Sequence, residues 1–149
     1  MPTDPTPLTQ RMRTLGSLLR TAYTTLADQL YGRLAEEGYE DIRPAHSAVL
    51  RNLPEEGARL TTLAAQADMT KQSMAYLVGY LEEQGYVTVK PDPEDGRARV
   101  VRLTARGRRL MDTMLALSAD IETRVAQKLG KARLEEFRRT LTDIDQAMR

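Results

Sequence analysis

From residue 8 onward, apolar side chains fall at steps of three and four: Leu8, Met12, Leu15, Leu19, Ala22, Leu26 and Leu30. That spacing places them on one stripe of a 3.6-residue helix, so a long amphipathic helix is predicted over roughly residues 8 to 37, stopped by Gly38. The Pro/Thr-rich start ahead of it is expected to be mobile. "DIRPAHSAVLRNL" sets Pro44 where a first helical turn tolerates it, followed by Ala48, Val49, Leu50 and Leu53, which predicts a second, short helix. "PEEGAR" reads as a loop. Thr61 is a candidate cap for a third helix with Leu63, Ala64 and Ala67 inward.

"MTKQSMAYLVGYLEEQG" is predicted as a fourth helix, capped by Thr70 and stopped by Gly85, with Met74, Leu77, Val78 and Leu81 on its buried stripe. The period then changes. "YVTVKP" and "ARVVRL" are short and β-branched, and the Asp-Gly turn between them predicts a hairpin. Thr104 caps a fifth helix in which Leu110, Met114, Leu117, Ile121 and Val125 keep the helical spacing up to Gly130. A sixth carries Leu134, Phe137, Leu141, Ile144 and Met148. The terminal helices have more apolar stripe than a small central unit can cover. Such stripes pair within the chain or across a dimer.

Composition narrows the chemistry. A chain of 149 residues fits one domain with a real core, and its 41% apolar and 29% charged residues are those of a soluble globular protein. It has no apolar run long enough to span a membrane, and "MPTDPTPLTQRMR" lacks a signal-peptide core, so a cytoplasmic protein without membrane partners is expected. Without cysteine there are no disulfides, thiolate nucleophiles or cysteine-ligated metals. With one histidine, no glycine-rich phosphate loop and no metal-ligand spacing, neither an enzyme nor a bound cofactor is expected. The net charge of +1 hides an uneven distribution: Arg97 to Arg109 holds six arginines and no acid. A local positive patch on a nearly neutral protein suggests a polyanion bound at one place.

That patch begins in "DPEDGRARVVRLT", where Asp92, Pro93, Asp95 and Gly96 reverse the chain at the mouth of an arginine-studded strand. Asp95 stands two residues before Arg97, close enough to pair with its guanidinium. Two short helices with a tight turn, followed by a hairpin, form a winged helix-turn-helix. "LTTLAAQADMTKQSM", "LVGYLEEQGYV", "DPEDGR" and "LTARG", in this order and between long helices, resemble the MarR family of bacterial transcription regulators. The resemblance covers essentially the whole chain.

The resemblance implies a mainly α fold with one small hairpin wing, residues 1–149 forming one domain. Residues 1–40 and 105–149 would be dimerisation helices, and 41–104 the DNA-binding lobe. It implies a homodimer on a pseudo-palindromic double-stranded operator, acting as a repressor released by a small molecule. Arg97 at the wing tip would reach into the minor groove with Asp95 orienting it, and Arg99 would meet phosphate. A guanidinium suits that task, being planar, always charged and a multiple donor.

On the fourth helix the apolar stripe leaves Lys71, Gln72, Ser73 and Tyr76 outward, with Thr70 at the N-terminus. Gln72 can read adenine bidentately, Ser73 is an adaptable partner, and Lys71 and Thr70 suit phosphates. Tyr76 either touches DNA or is a solvated, partly packed aromatic. His46 is either a hydrogen-bonded residue at a helix junction or, with Tyr23 and Arg43, part of an effector pocket between the dimerisation helices and the DNA-binding lobe. The competing reading for the whole chain is a winged-helix protein-interaction module without specific operator binding.

Overall fold

The computed structural model describes residues 7–149; the proline- and threonine-rich start, residues 1–6, lies outside the described residues. Helix α1 (Pro7–Met12) leads into α2 (Leu15–Glu36). A 3-10 turn (Pro44–His46) runs into α3 (Ser47–Leu50), and strand β1 (Ala58–Arg59) into α4 (Leu60–Gln66). Then come α5 (Lys71–Glu83), β2 (Val87–Pro91), β3 (Arg99–Leu103), α6 (Ala105–Leu129) and α7 (Lys131–Ala147). The three strands form one antiparallel sheet in the order β1-β3-β2. Val89 faces Val101 across the hairpin, and Val101 faces Ala58 on the other side. Among the described residues no helix is long and apolar enough to cross a membrane.

One apolar cluster joins these elements. Leu34 of α2, Val49 of α3, Leu63 of α4, Met74 and Leu81 of α5, Tyr86 and Val101 of the sheet region, and Leu110 of α6 are all fully buried. The stripe predicted for α5 holds: Met74, Leu77, Val78 and Leu81 are buried. Each such side chain stabilises by about 1.5–3 kcal/mol when removed from water. Rolling α5 would expose that stripe and bury Lys71 and Gln72, so packing alone fixes which face points outward.

Four local expectations are corrected. The helix over 8–37 is two helices. Thr14 takes an extended conformation (φ −62°, ψ 149°) and accepts the Ser17 N–H on its side chain at 3.3 Å, which restarts the helix at Leu15. The second helix opens as a 3-10 turn before α3. The "PEEGAR" segment is not wholly a loop, because Ala58 and Arg59 pair with β3; a two-residue strand carries no readable period. Thr61 is not a cap: Arg59, extended at the end of β1, is the N-cap residue of α4, and the helix begins at Leu60. The caps predicted at Thr70 and Thr104 hold, through the N–H groups of Ser73 and Gly107, both 3.1 Å away.

The turn between α4 and α5 is built on Asp68, the only non-glycine with positive φ (52°) among the described residues. The Met69 N–H reaches back to the Ala64 carbonyl (2.9 Å) and the Asp68 N–H to that of Ala65 (3.2 Å), which satisfies the orphan carbonyls at the end of α4. The chain can therefore turn within the four residues 67–70 and begin α5 at a fixed angle.

Candidate nucleic-acid interface

With its apolar face seated, α5 presents Lys71, Gln72, Ser73 and Tyr76 to solvent, Tyr76 at 79% exposure. That exposure leaves Tyr76 largely solvated, as both of its readings allow. Thr70 is committed to the cap: its Oγ accepts the Ser73 N–H and donates to the Ser73 hydroxyl at 2.9 Å. Ser73 keeps its own hydroxyl proton for another acceptor. Tyr80 turns the other way, donating to the Asp41 carbonyl at 2.8 Å and lying against His46. At the far end of α5, Glu82 accepts the Val89 N–H at 2.8 Å, which ties this helix to β2.

The wing tip is held by carboxylates that bind backbone. Asp92 is buried (9% exposed) and accepts the Glu94 N–H at 2.9 Å and the Arg59 guanidinium at 2.7–2.8 Å. The Glu94 amide first, and then Arg59, hold its carboxyl below the usual range against the opposing effect of burial. Asp95 differs from expectation. It accepts the backbone N–H of Arg97 at 3.1 Å, while its own carbonyl takes the Ala98 N–H at 2.9 Å. Its oxygen closes an Asx turn, and no carboxylate among the described residues pairs with the Arg97 guanidinium. Arg97 and Arg99 are both exposed. The tight turn shapes the backbone and leaves the cations open.

Two side-chain clusters behind this surface have no signal in the sequence. Arg59–Asp92 ties β1 to the wing loop across 33 residues. At the base of the wing, the Tyr86 hydroxyl donates to Asp41 at 2.7 Å, and Arg106 lies 4.5 Å above the Tyr86 ring with one nitrogen 3.0 Å from its hydroxyl. Burial, then the bond to Asp41, pushes the Tyr86 phenol up to about 12, so it stays a donor at neutral pH. Gly107 completes the joint. A Cβ there would sit 2.1 Å from the Tyr86 carbonyl oxygen.

The three residues expected around an effector separate. A cavity of about 320 Å3 opens between α2, α3 and α6, lined by Tyr23, Leu30, Tyr31, Ser47, Arg51 and Met114 among others. Tyr23 belongs to it; Arg43 and His46 do not. Arg43 is on the surface, and His46 is buried at the junction with α5, where its Nδ1 accepts the Arg43 N–H at 2.9 Å. The periodicity of α3 could not separate Ser47 from its neighbour His46, and their side chains point to different sides.

Comparison with known proteins agrees with this geometry. A sequence profile of the MarR family matches residues 40–98, from the loop ahead of α3 to the wing tip. Over 58 residues the chain is 33% identical to the transcriptional activatory protein BadR of Rhodopseudomonas palustris. That stretch is 39% of this chain and spans only 33% of the curated relative. The crystal structure of a MarR-family transcriptional regulator from Rhodococcus sp. RHA1 matches with a TM-score of 0.70 at 25% identity, covering 89% of this chain and 95% of that one. CouR from Rhodococcus jostii RHA1, solved with p-coumaroyl-CoA, matches with a TM-score of 0.68 at 26% identity over 89% of this chain and 92% of its own. From the helix-turn-helix on Asp68 to the wing on Asp92, the chain has a winged helix-turn-helix fold similar to that of MarR-family regulators, and its residues 40–98 match that family.

Proposed function

We propose that the protein is a sequence-specific DNA-binding transcriptional regulator. It acts as a cytoplasmic homodimer on a pseudo-palindromic operator, as a repressor released by a small molecule, and catalyses no reaction. The observation that carries this reading is the pairing of an outward α5 face bearing Lys71, Gln72, Ser73 and Tyr76 with wing arginines that no carboxylate neutralises. Gln72 and Ser73 are the base readers, Lys71 and Arg99 meet phosphates, and Arg97 enters the minor groove. Tyr76 contacts the backbone or a thymine methyl.

The dimer is supported by what the single chain leaves uncovered. Leu8, Met12, Leu15 and Leu18 near the start, with Phe137 and Leu141 of α7, are 37–60% exposed. No residue of α7 is buried. A two-fold dimer through these helices would set two α5 helices about 34 Å apart, one turn of DNA. The cavity beside Tyr23 is the candidate effector site. The curated relative is named as an activator, so the sign of regulation is read from a reporter fused to the selected operator.

Selection of bound duplexes from random DNA tests the reading. It is expected to return an inverted repeat with half-sites about 10 base pairs apart, centre to centre. Recovery without any shared motif would favour an interaction module.

Within that operator, Arg97→Ala is expected to weaken binding by about 1–3 kcal/mol, the usual loss for one good DNA contact. Asp95→Ala is expected to weaken it as well, by releasing the turn that aims Arg97. Bulk electrostatics gives the opposite sign, since removing an acid beside a polyanion favours binding. Fluorescence anisotropy on both variants, with circular dichroism to check folding, separates the two; tighter binding by Asp95→Ala would reduce the wing to a diffuse positive patch.

A further inference from the structure

His46 is the single histidine of the chain, and there is no cysteine. Ordinary carboxylates have ionised by about pH 5, and phenols and lysine ammonium groups titrate above about 9, so near pH 6 this is the side chain that changes charge. It is also buried, at 6% exposure. Its ring lies flat on that of Tyr80, with centroids 4.7 Å apart and planes 4° from parallel. Tyr80 belongs to α5, one turn beyond Tyr76. The Nδ1 of His46 accepts the Arg43 N–H at 2.9 Å and so closes the turn that starts the 3-10 segment. A nitrogen that accepts carries no proton, so this imidazole is neutral. Helix α5 therefore rests on an uncharged ring whose orientation depends on one lone pair.

We infer that neutral His46 is a positioning residue that seats the recognition helix, and that acidification through the histidine range unseats it and weakens DNA binding. This rests on the DNA-binding reading above. Protonation would turn Nδ1 into a donor facing the Arg43 N–H, leaving two donors opposed, and would put a cation in a largely dry site. The surrounding groups do not compensate. Asp41 attracts the charge, but its carboxylate is already engaged by the Tyr86 hydroxyl and, at 3.5 Å, by Arg106. Arg43 repels it. From α5 the facing group is Tyr80, whose hydroxyl is committed to the Asp41 carbonyl.

Burial is the largest influence and lowers the His46 pKa from the ordinary 6.5; Asp41 opposes that shift and Arg43 adds to it. A folded pKa below the unfolded one fixes the sign. The contribution of His46 to stability is complete above the unfolded value and declines as pH falls toward the folded one.

Two measurements test this. The first needs no DNA: an NMR titration of the His46 ring proton together with the backbone amides of Tyr76 and Tyr80, from pH 8 to 5. The expected result is a His46 midpoint below that of an unfolded histidine, with both amides moving at the same midpoint. The second is anisotropy with a duplex that the protein selects from random DNA at pH 8. Affinity is expected to be about tenfold lower at pH 5.5 than at pH 7.5, a change of about 1.4 kcal/mol. It should be flat in His46→Asn, whose side-chain oxygen keeps the acceptor and does not titrate. Added positive charge alone would strengthen binding to DNA, the opposite sign. An ordinary midpoint, still amides, or the same acid loss in His46→Asn would overturn the inference. If His46→Asn does not fold, the titration of the wild-type chain decides. If no duplex is selected at any pH, the DNA-binding reading fails, and the coupled movement of His46 and α5 is still judged by NMR.

Discussion

Gly107→Ala is expected to destabilise the fold by about 3 kcal/mol, the upper part of the usual range for overpacking, because the atom nearest the new Cβ is backbone and only Leu103 Cδ2, at 3.0 Å, belongs to a movable side chain. It would stand 2.1 Å from the Tyr86 carbonyl oxygen and 3.1 Å from its carbon. That carbonyl cannot retreat freely, since it accepts the Thr104 N–H at 3.0 Å while the Thr104 hydroxyl donates to the Gly85 carbonyl at 2.6 Å. Helix propensity alone predicts the reverse, a gain of about 0.5–1 kcal/mol for alanine in place of glycine. Gly32→Ala supplies the control. Gly32 lies inside α2 with nothing within 4 Å of an added Cβ, so propensity should prevail there. Thermal unfolding should show a fall of about 10 °C for Gly107→Ala and a small rise for Gly32→Ala. Equal behaviour of the two would mean that the joint between wing and α6 is looser than described.

The second large effect is expected on assembly. Phe137→Glu should convert the proposed dimer to monomer at micromolar concentration. Phe137 is 48% exposed on a helix with no buried residue, although it lies on that helix's apolar stripe. If a two-fold interface covers it, each dimer loses two copies of the contact. At about 2 kcal/mol each, the loss is about 4 kcal/mol, or roughly a thousandfold in dimer affinity, before the cost of burying the carboxylate. Light scattering reads this directly. A wild-type chain that is already monomeric at that concentration would remove the dimer from the account, and an unaffected dimer in Phe137→Glu would move the interface off α7.

What was legible in the sequence was local. Thr70, Thr104 and Gly85 were readable because a cap needs only its own next turn, and the α5 stripe because its period is intrinsic to the helix. The break at Thr14 was hidden by apolar spacing that continues in phase across it. Strand β1 is too short to show alternation and exists only because β3 offers it an edge. The joint of Asp41, Tyr86 and Arg106 draws on residues 45 and 65 positions apart, and nothing local marks them as partners. Gly107 did have a signal, a glycine in the first turn of a helix, but its cause is a distant carbonyl. At the candidate site the residue types were readable and one of the contacts was not. Asp95 and Arg97 do interact, through carboxylate and backbone amide instead of carboxylate and guanidinium. Two residues of separation suit either bond, and the turn geometry selects the first.

A surface that reads sequence does more than attract phosphate. The most direct test is the ratio of dissociation constants for the selected duplex and a scrambled duplex of equal length, measured by anisotropy at about 0.15 M salt. A ratio of about a thousand or more is expected, as for specific binders generally. A ratio near one, with affinity for both duplexes falling steeply as salt rises, would contradict it.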